Sequence, residues 1–323
     1  MNVGIVVIGR NEGERLLRCL TALDPRARPT VYVDSGSSDG SPARAAELGA
    51  VVAPLDMAKP FTAARARNEG FARLLADHPS LEFVQFLDGD CEIDPAWLPT
   101  ATAFLKEHVD FAIACGRRRE RVPEQSIYNR LCDIEWATPV GETSACGGDA
   151  LMRVAALQAV NGYNPDVIAG EEPELCVRLR RAGWRIQRLD AEMTLHDAAM
   201  TRFRQWWKRQ IRAGFAYSLG AAMHGRSPER HWVRERQRIL IYGFFYPVLL
   251  LALAWPTRGI SLAGFLLYPL QAVRIALKVK GRPWKDRLAF GVSCMLSKFP
   301  EFIGWVKYQR AKRSGRMRII EYK

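Results

Sequence analysis

Apolar residues in this chain fall in short uniform runs separated by amphipathic stretches. Val3 to Ile8 is apolar throughout and mostly β-branched, the pattern of a parallel strand covered on both faces. Leu16, Leu17, Leu20 and Leu23 then recur at helical spacing between Glu12 and Leu23. The alternation repeats: Thr30 to Asp34 predicts a strand, Pro42 to Leu48 a helix, Val51 and Val52 a short strand, Phe61 to Ala76 a helix, and Leu81 to Leu87 a fourth strand. Pro95 to Lys106 predicts a helix capped by Asp94 with Pro95 at its first position, and Phe111 to Cys115 a further strand. Strands alternating with helices imply right-handed crossovers and a mostly parallel, Rossmann-like α/β sheet flanked by helices. Ligands in such sheets sit at the carboxyl ends of the strands. Three polar clusters fall at those ends: Gly9-Arg10-Asn11-Glu12, Asp34-Ser35-Gly36 and Asp88-Gly89-Asp90.

Asp88 and Asp90 are two residues apart, so in extended backbone both carboxylates leave the same face, and Gly89 lets another group approach the chain closely. Two hard oxygen ligands at one point suit Mg2+ or Mn2+; the plainer alternative is a solvated Asp-Gly turn. No Gly-x-Gly-x-x-Gly follows the first strand and no phosphate-binding Gly-Lys-Ser/Thr loop occurs, which argues against a dehydrogenase and a P-loop enzyme. Arg117, Arg118, Arg119 and Arg121 form a basic cluster suited either to phosphate or to a solvated loop. Downstream, Cys146-Gly147-Gly148-Asp149 allows tight backbone packing beside a carboxylate, and Gly170-Glu171-Glu172-Pro173-Glu174 opens a helix. Three acids at a helix start complement its dipole; beside a metal site, one of them becomes a candidate general base.

Composition changes this picture in one respect. The net charge of +13 suggests a nucleic-acid binder, but residues 1–200 carry a net −7 and residues 201–323 a net +20. The basic residues therefore belong to the C-terminal third, where they interleave with uncharged apolar runs and fit no nucleic-acid module. Seven scattered cysteines, none in a Cys-x-x-Cys pair, read as reduced thiols, and the short N-terminal apolar run reads as a strand and not a signal peptide.

Taken together and in order, these motifs resemble the inverting family 2 glycosyltransferases of GT-A fold, over roughly residues 1–220. The matching segments are Gly9-Arg10-Asn11-Glu12, which lacks the family's usual proline; Val33-Asp34-Ser35-Gly36-Ser37-Ser38-Asp39-Gly40, with Ser35 where a second Asp is usual; Ala66-Arg67-Asn68-Glu69-Gly70; Asp88-Gly89-Asp90; Gly147-Gly148-Asp149; and Glu171-Glu172. The resemblance implies a metal-dependent hexosyltransferase that uses a nucleotide diphosphate-sugar. Gly9, Arg10, Glu12, Asp34, Arg67 and Asp88 would line the donor, with Glu12 and Asp34 at base or ribose and Arg67 near the phosphates. Asp88 and Asp90 would hold Mn2+ or Mg2+ on the diphosphate, with His196 as a further metal or phosphate contact. Gly147, Gly148 and Asp149 would face the acceptor, as would Trp207 and Arg209 of the basic-aromatic segment Gln205 to Arg209. Glu172 matches the catalytic base, with Glu171 as its rival. That segment is not the Gln-x-x-Arg-Trp of processive synthases, which favours addition of a single sugar.

Residues 1–222 are thus expected to form the catalytic domain and 223–323 a basic, apolar, helical membrane-associated region. Ile239 to Thr257 and Gly259 to Val273 carry no charge, with Arg258 between them, and each is marginal against the roughly 20 residues that cross a bilayer. Leu288 to Val306 is interrupted by Lys298, Pro300 and Glu301 and reads as interfacial or re-entrant. Basic flanks, Arg226 to Arg238, Lys278 to Arg287 and Lys307 to Arg318, suit an anionic leaflet and place the protein at the cytoplasmic face of the plasma membrane. A packed helical bundle or dimer contact is the alternative. The expected partners are a nucleotide-sugar and a lipid-linked saccharide acceptor in polysaccharide or glycoconjugate assembly, with no nucleic acid and with room for an oligomer. Two rivals stand beside this reading, a polyprenyl-phosphate glycosyltransferase and a non-catalytic membrane scaffold.

Overall fold

Every residue of β1 (Val3–Gly9) from Val3 to Ile8 is buried, as a uniformly apolar run requires, and the strand lies inside a sheet. Each fully buried Val or Ile there contributes on the order of 1.5–3 kcal/mol of hydrophobic stabilisation. The computed structural model describes residues 2–315; Arg316 and Arg318 of the C-terminal basic flank lie outside the described residues. β1 pairs in parallel with β2 (Thr30–Asp34) and, on its other side, with β4 (Phe83–Asp88), while β3 (Val51–Pro54) extends the sheet beyond β2. The remaining strands are β5 (Cys91–Ile93), β6 (Phe111–Glu120), β7 (Gly141–Glu142), β8 (Ala150–Arg153) and β9 (Arg185–His196). The order is β3-β2-β1-β4-β8-β6-β9-β5, with β7 also on β9.

The first four strands follow the expected parallel pattern, but the sheet as a whole is mixed. β8 runs antiparallel to both β4 and β6, and β5 and β7 run antiparallel to β9. The period-2 signal that marks a strand carries no information on direction, and direction here changes where long connections replace strand–helix–strand units. Two boundaries also move. Asp94 does not cap a helix beginning at Pro95; its carboxylate accepts the Ala96 N–H at 2.8 Å, and the helix begins two residues later as Trp97–Glu107. Arg117, Arg118 and Arg119 lie within β6, not in a loop after it. In β4 the one buried polar side chain, Gln85, accepts the Trp97 Nε1–H at 2.8 Å and donates to the Phe86 carbonyl, so burial leaves neither end unpaired.

Two compact units divide the chain. The first contains the chain up to Arg121 together with Trp136–Ala198, and hence the whole sheet; the second contains Val122–Glu135 and the chain from Ala199 on. This differs from a single cut after residue 222. Helix Phe203–His224 belongs wholly to the second unit because it packs lengthwise on helix Lys298–Ser314, through glycines. A Cβ on Gly214 would lie 2.0 Å from the Glu301 carbonyl, and one on Gly304 2.1 Å from that of Ile211. Val122–Glu135 joins it through the ion pairs Asp133–Arg282, Arg130–Asp286 and Glu135–Arg209. The apolar C-terminal runs are helical, and Leu288 to Val306 is shared between helices Trp284–Leu296 and Lys298–Ser314.

In the first unit, helix Ala63–Asp77 rests on β1 and β2 at Gly70, where an added Cβ would meet Val6 at 2.4 Å and Val33 at 2.8 Å. Gly70→Ala should therefore destabilise the fold by roughly 1–3 kcal/mol through overpacking, read as a lower urea midpoint, although alanine is the better helix former.

Candidate functional site

The sheet register brings the polar strand ends together. Ile8 of β1 pairs with Asp88 of β4, and Gly9 with Asp34 of β2, so the carboxyl ends of all three strands form one rim. Gly89 turns the chain there, its N–H donating to the Ile8 carbonyl at 2.8 Å. β5 follows at once and pairs with β9, setting Cys91 directly opposite His196. The Asp90 carbonyl accepts the Asp197 N–H at 3.0 Å, and His196 Nε2 lies 3.4 Å from Asp90 Oδ1.

At the centre is Arg67, 1% exposed, on helix Ala63–Asp77. Its guanidinium reaches Asp88 Oδ1 at 2.8 Å, Glu171 Oε1 at 3.0 Å and Glu172 Oε1 at 3.1 Å, and lies over the Tyr163 ring. Burial alone would depress it, but Glu172, Asp88 and Glu171 override that and hold it firmly charged. Glu171 and Glu172 start helix Glu171–Arg181 after Gly170, whose φ of 81° suits glycine at this sharp entry. Glu172 is pushed up to about 7, by burial first and by the Glu171 charge second, against the pull of Arg67. Gly148 closes the cluster: a Cβ there would fall 2.7 Å from Arg67 Nη2, 2.9 Å from Asp88 Oδ2 and 3.0 Å from Glu172 Oε1.

On the donor side, Asp34 is buried and accepts the N–H groups of Gly36 (3.0 Å) and Ser37 (2.9 Å) and the Tyr32 hydroxyl (3.1 Å). Asn11 ties the neighbouring loop to it, accepting the Ser38 N–H at 2.8 Å and donating its own N–H to Ser37 Oγ at 2.9 Å. Glu12 pairs with Arg15 at 2.8 Å, and the Arg10 guanidinium lies 5.4 Å from the Phe61 ring centroid.

The structure gives Asp149 a different place from the acceptor side. It is fully buried and accepts from Arg118 Nε (2.9 Å), Thr194 Oγ1 (2.8 Å) and the Asp88 N–H (3.3 Å), so it anchors the strand end that presents Asp88. Gly147 is exposed beside it. Trp207 and Arg209 belong to the second unit, where Arg209 pairs with Glu135 at 2.8 Å and the Trp207 ring neighbours Phe203 and Trp206. Sequence reasoning left Arg118 between phosphate contact and loop. The register of β6 on β9 shifts on either side of Arg117, and Arg118 reaches both Asp149 and Asp88 (3.7 Å) over the Trp136 ring. Cys91, Trp136 and Thr194 drew no attention as isolated residues; only strand pairing and the ring contact of Trp136 with His196 bring them here.

Residues 4–157 match the family Glycosyl transferase family 2. The matched stretch contains Asp34, Arg67, Asp88, Asp90 and Asp149, while Glu171, Glu172 and His196 lie beyond it. Among curated proteins, the chain is 25% identical over 239 residues to a pre-mycofactocin glycosyltransferase of Mycobacterium tuberculosis, covering 69% of this chain and 48% of that one. It is 35% identical over 131 residues to a TPR repeat-containing protein of Synechococcus elongatus, 40% of this chain and 30% of that protein. The chain spans less than half the length of these curated relatives. Among solved structures, a mannosyltransferase of Pyrobaculum calidifontis in complex with GDP-Man and Mn2+ superposes with a TM-score of 0.64 over 96% of this chain and 88% of its own, at 18% identity, which shows a common fold.

The Glu172 carboxyl carries a pH signature. Below its ordinary value of 4.5 it is protonated in folded and unfolded chains alike; as pH rises towards about 7 the unfolded chain ionises while the fold resists, so stability is lost across that window. Glu172→Gln should leave the urea midpoint nearly unchanged at pH 4.5 and raise it relative to the parent at pH 8. Equal effects at both values would show that the fold does not oppose this ionisation.

Proposed function

We propose that the chain is an inverting glycosyltransferase that moves one sugar from a nucleotide diphosphate-sugar to a hydroxyl of a lipid-linked acceptor. The observation that carries this reading is the cluster of Arg67, Asp88 and Glu172 around Gly148, beside Asp90 and His196, on the rim where an open α/β sheet receives ligands. Asp88, Asp90 and His196 fit a divalent cation. Their donors are oxygen and imidazole nitrogen, Asp88 is part-exposed, and His196 turns Nε2 towards Asp90 Oδ1 at 3.4 Å. Bound there, Mn2+ or Mg2+ would neutralise charge developing on the departing diphosphate. The Mn2+ and GDP-Man bound to the mannosyltransferase of the same fold support this choice.

The chain's own residues divide the rest. Asp34 and the loops stitched by Asn11 shape the nucleotide end. Glu172, with its carboxyl raised to about 7, sits where a general base works best near neutral pH. It takes the acceptor hydroxyl proton as the oxygen bonds to the anomeric carbon and the bond to the diphosphate breaks, which inverts that carbon. A phosphate acceptor would have no such proton to give, so the raised carboxyl favours a hydroxyl. Glu172→Gln should bind donor as the parent does, read as the thermal shift given by nucleotide-sugars with Mn2+, and lose donor turnover by roughly 10² to 10⁴-fold. A larger loss in Glu171→Gln would reassign the base.

Support for the lipid-linked acceptor comes from the second unit. Helix Ile260–Lys278 is long and apolar enough to cross a membrane by length and composition, and most of it is exposed. Leu251, Trp255, Ile260, Leu266 and Leu270 are exposed along the same two runs, Trp255 at 93%. With basic residues at both flanks, this surface suits the cytoplasmic leaflet of an anionic membrane. The full chain should pellet with membranes, resist a high-salt wash and require detergent for release. Recovery as a monodisperse oligomer without detergent would assign the apolar runs to a protein interface.

A further inference from the structure

Cys146 and Cys176 face each other with their sulfurs 3.6 Å apart, and neither is in a disulfide. They are 30 residues apart in the chain, so folding brings them together. Cys146 lies on the loop between β7 and β8, directly before Gly147-Gly148. Cys176 lies on helix Glu171–Arg181, four residues after Glu172 and hence on the same helical face. Arg180 of that helix donates to the Ser144 carbonyl of the same loop, so the thiols meet where loop and helix are already in contact. At its far end the loop is fixed through Asp149, which is held by Arg118 and Thr194. Between these anchors there is little slack. A Cβ on Gly148 would fall no more than 3.0 Å from side-chain atoms of Arg67, Asp88 and Glu172, so all three would feel a small shift of the loop.

We propose that Cys146 and Cys176 are a redox-modification site, whose oxidation to a disulfide locks the Gly147-Gly148 loop onto helix Glu171–Arg181. The co-reactant is a small two-electron oxidant of the peroxide class. Cys146 is 8% exposed and Cys176 0%, so peroxide meets Cys146 first. The Cys146 sulfur takes one peroxide oxygen to become a sulfenic acid, and the other oxygen leaves as water with the thiol proton. The Cys176 sulfur then displaces that hydroxyl, which leaves as a second water with the Cys176 proton. Two electrons pass from the thiols to the peroxide. Contact with Cys176 and burial hold the Cys146 thiol well above its ordinary value, so its thiolate is scarce and the pair rests reduced until oxidant is in excess. To bond, the sulfurs close from 3.6 Å to about 2.0 Å. That closure draws loop and helix together where the cluster has no room for a methyl group, and it moves Gly148 against Glu172. Loss of donor turnover on oxidation rests on the function proposed above; the cross-link does not.

Hydrogen peroxide tests the pair on the full chain. After oxidation and alkylation of the remaining thiols, trypsin cuts between the two cysteines at Arg153. Mass spectrometry without reduction should then find residues 131–153 joined to residues 154–178, with fragmentation placing the bond on Cys146 and not on Cys132. Amide hydrogen exchange over residues 144–148 should slow in the oxidised chain. Donor turnover should fall by about 10- to 100-fold, as expected of a displaced catalytic group, and return with dithiothreitol. Cys176→Ala should turn over donor as the reduced parent does and keep that rate in peroxide, and Cys146→Ser repeats the comparison from the other side. Absence of the linked peptide, or a bond through Cys115 or Cys132, overturns the proposal, as does a linked chain whose exchange is unchanged. Equal loss of turnover in the parent and Cys176→Ala assigns the inhibition to another thiol and also overturns it. If the reduced parent turns over no nucleotide-sugar, the function proposed above fails, and the linked peptide and the exchange alone decide this proposal.

Discussion

A buried guanidinium holds the polar rim of the sheet together. Burying one charge costs several kcal/mol unless it is paired and hydrogen-bonded. Arg67 meets that condition with three carboxylates drawn from two distant parts of the chain: Asp88 at the end of β4, and Glu171 and Glu172 at the start of a helix about 85 residues later. Each partner depends on a local device. Gly70 seats the helix that carries Arg67, Gly170 turns the chain into the helix that carries the two glutamates, and Gly148 leaves room for all of them to meet. Charge on the rim is nevertheless out of balance. Asp88, Asp149, Glu171 and Glu172 share Arg67 and Arg118, and Asp90 stands beside a histidine. That surplus of negative charge would repel a diphosphate unless a cation offset it, which agrees with the divalent cation of the proposed function.

The first four strands and the polar residues at their ends were legible in the sequence because they obey one simple rule: a covered parallel strand is apolar until it stops, and it stops in polar residues. Asp34, Asp88 and Asp90 announce themselves in this way. The second half of the sheet does not. Arg118 reaches the site through register shifts in β6, and Cys91 meets His196 across an antiparallel pair whose members lie more than 100 residues apart. No local pattern encodes either juxtaposition. Asp149 shows the opposite difficulty. A carboxylate after two glycines looks available to an acceptor, yet a single exposed-looking position says nothing of the arginine and threonine that enclose it.

In the C-terminal third, the residues that build the unit and those that leave its surface apolar are of the same kinds, so composition could not separate them. Glycines do so in the structure. Gly214, Gly243, Gly291 and Gly304 each bring a helix within backbone distance of another, and these contacts consume part of the apolar surface internally. A paired Lys298 and Glu301, the latter 4% exposed, is accommodated in the same helix packing and explains how charges can interrupt an apolar run without exposing it. The surface left over is concentrated around residues 244–270. Sequence periodicity found the helices; only packing shows which faces remain for a bilayer or a partner.

The adjacent glutamates show how one helix start yields two different carboxylates. Glu171 is 6% exposed on its side chain and binds Arg67 through Nη1; Glu172 is 14% exposed and shares Nη2 with Asp88. Sharing weakens the hold of the arginine on Glu172, and the Glu171 charge next to it raises the cost of ionising a second carboxyl in the same partly dry space. Burial raises the proton affinity of the second acid first, and the charge of the first raises it further. On the proposed reading, a cation held at Asp88 would act in the same circuit from the other side. By offsetting the charge of Asp88, which helps to keep Glu172 protonated, it would lower the proton affinity of Glu172. Arg67 touches both Asp88 and Glu172, so under the proposed mechanism Glu172 would ionise more readily once a cation had met the charge at Asp88.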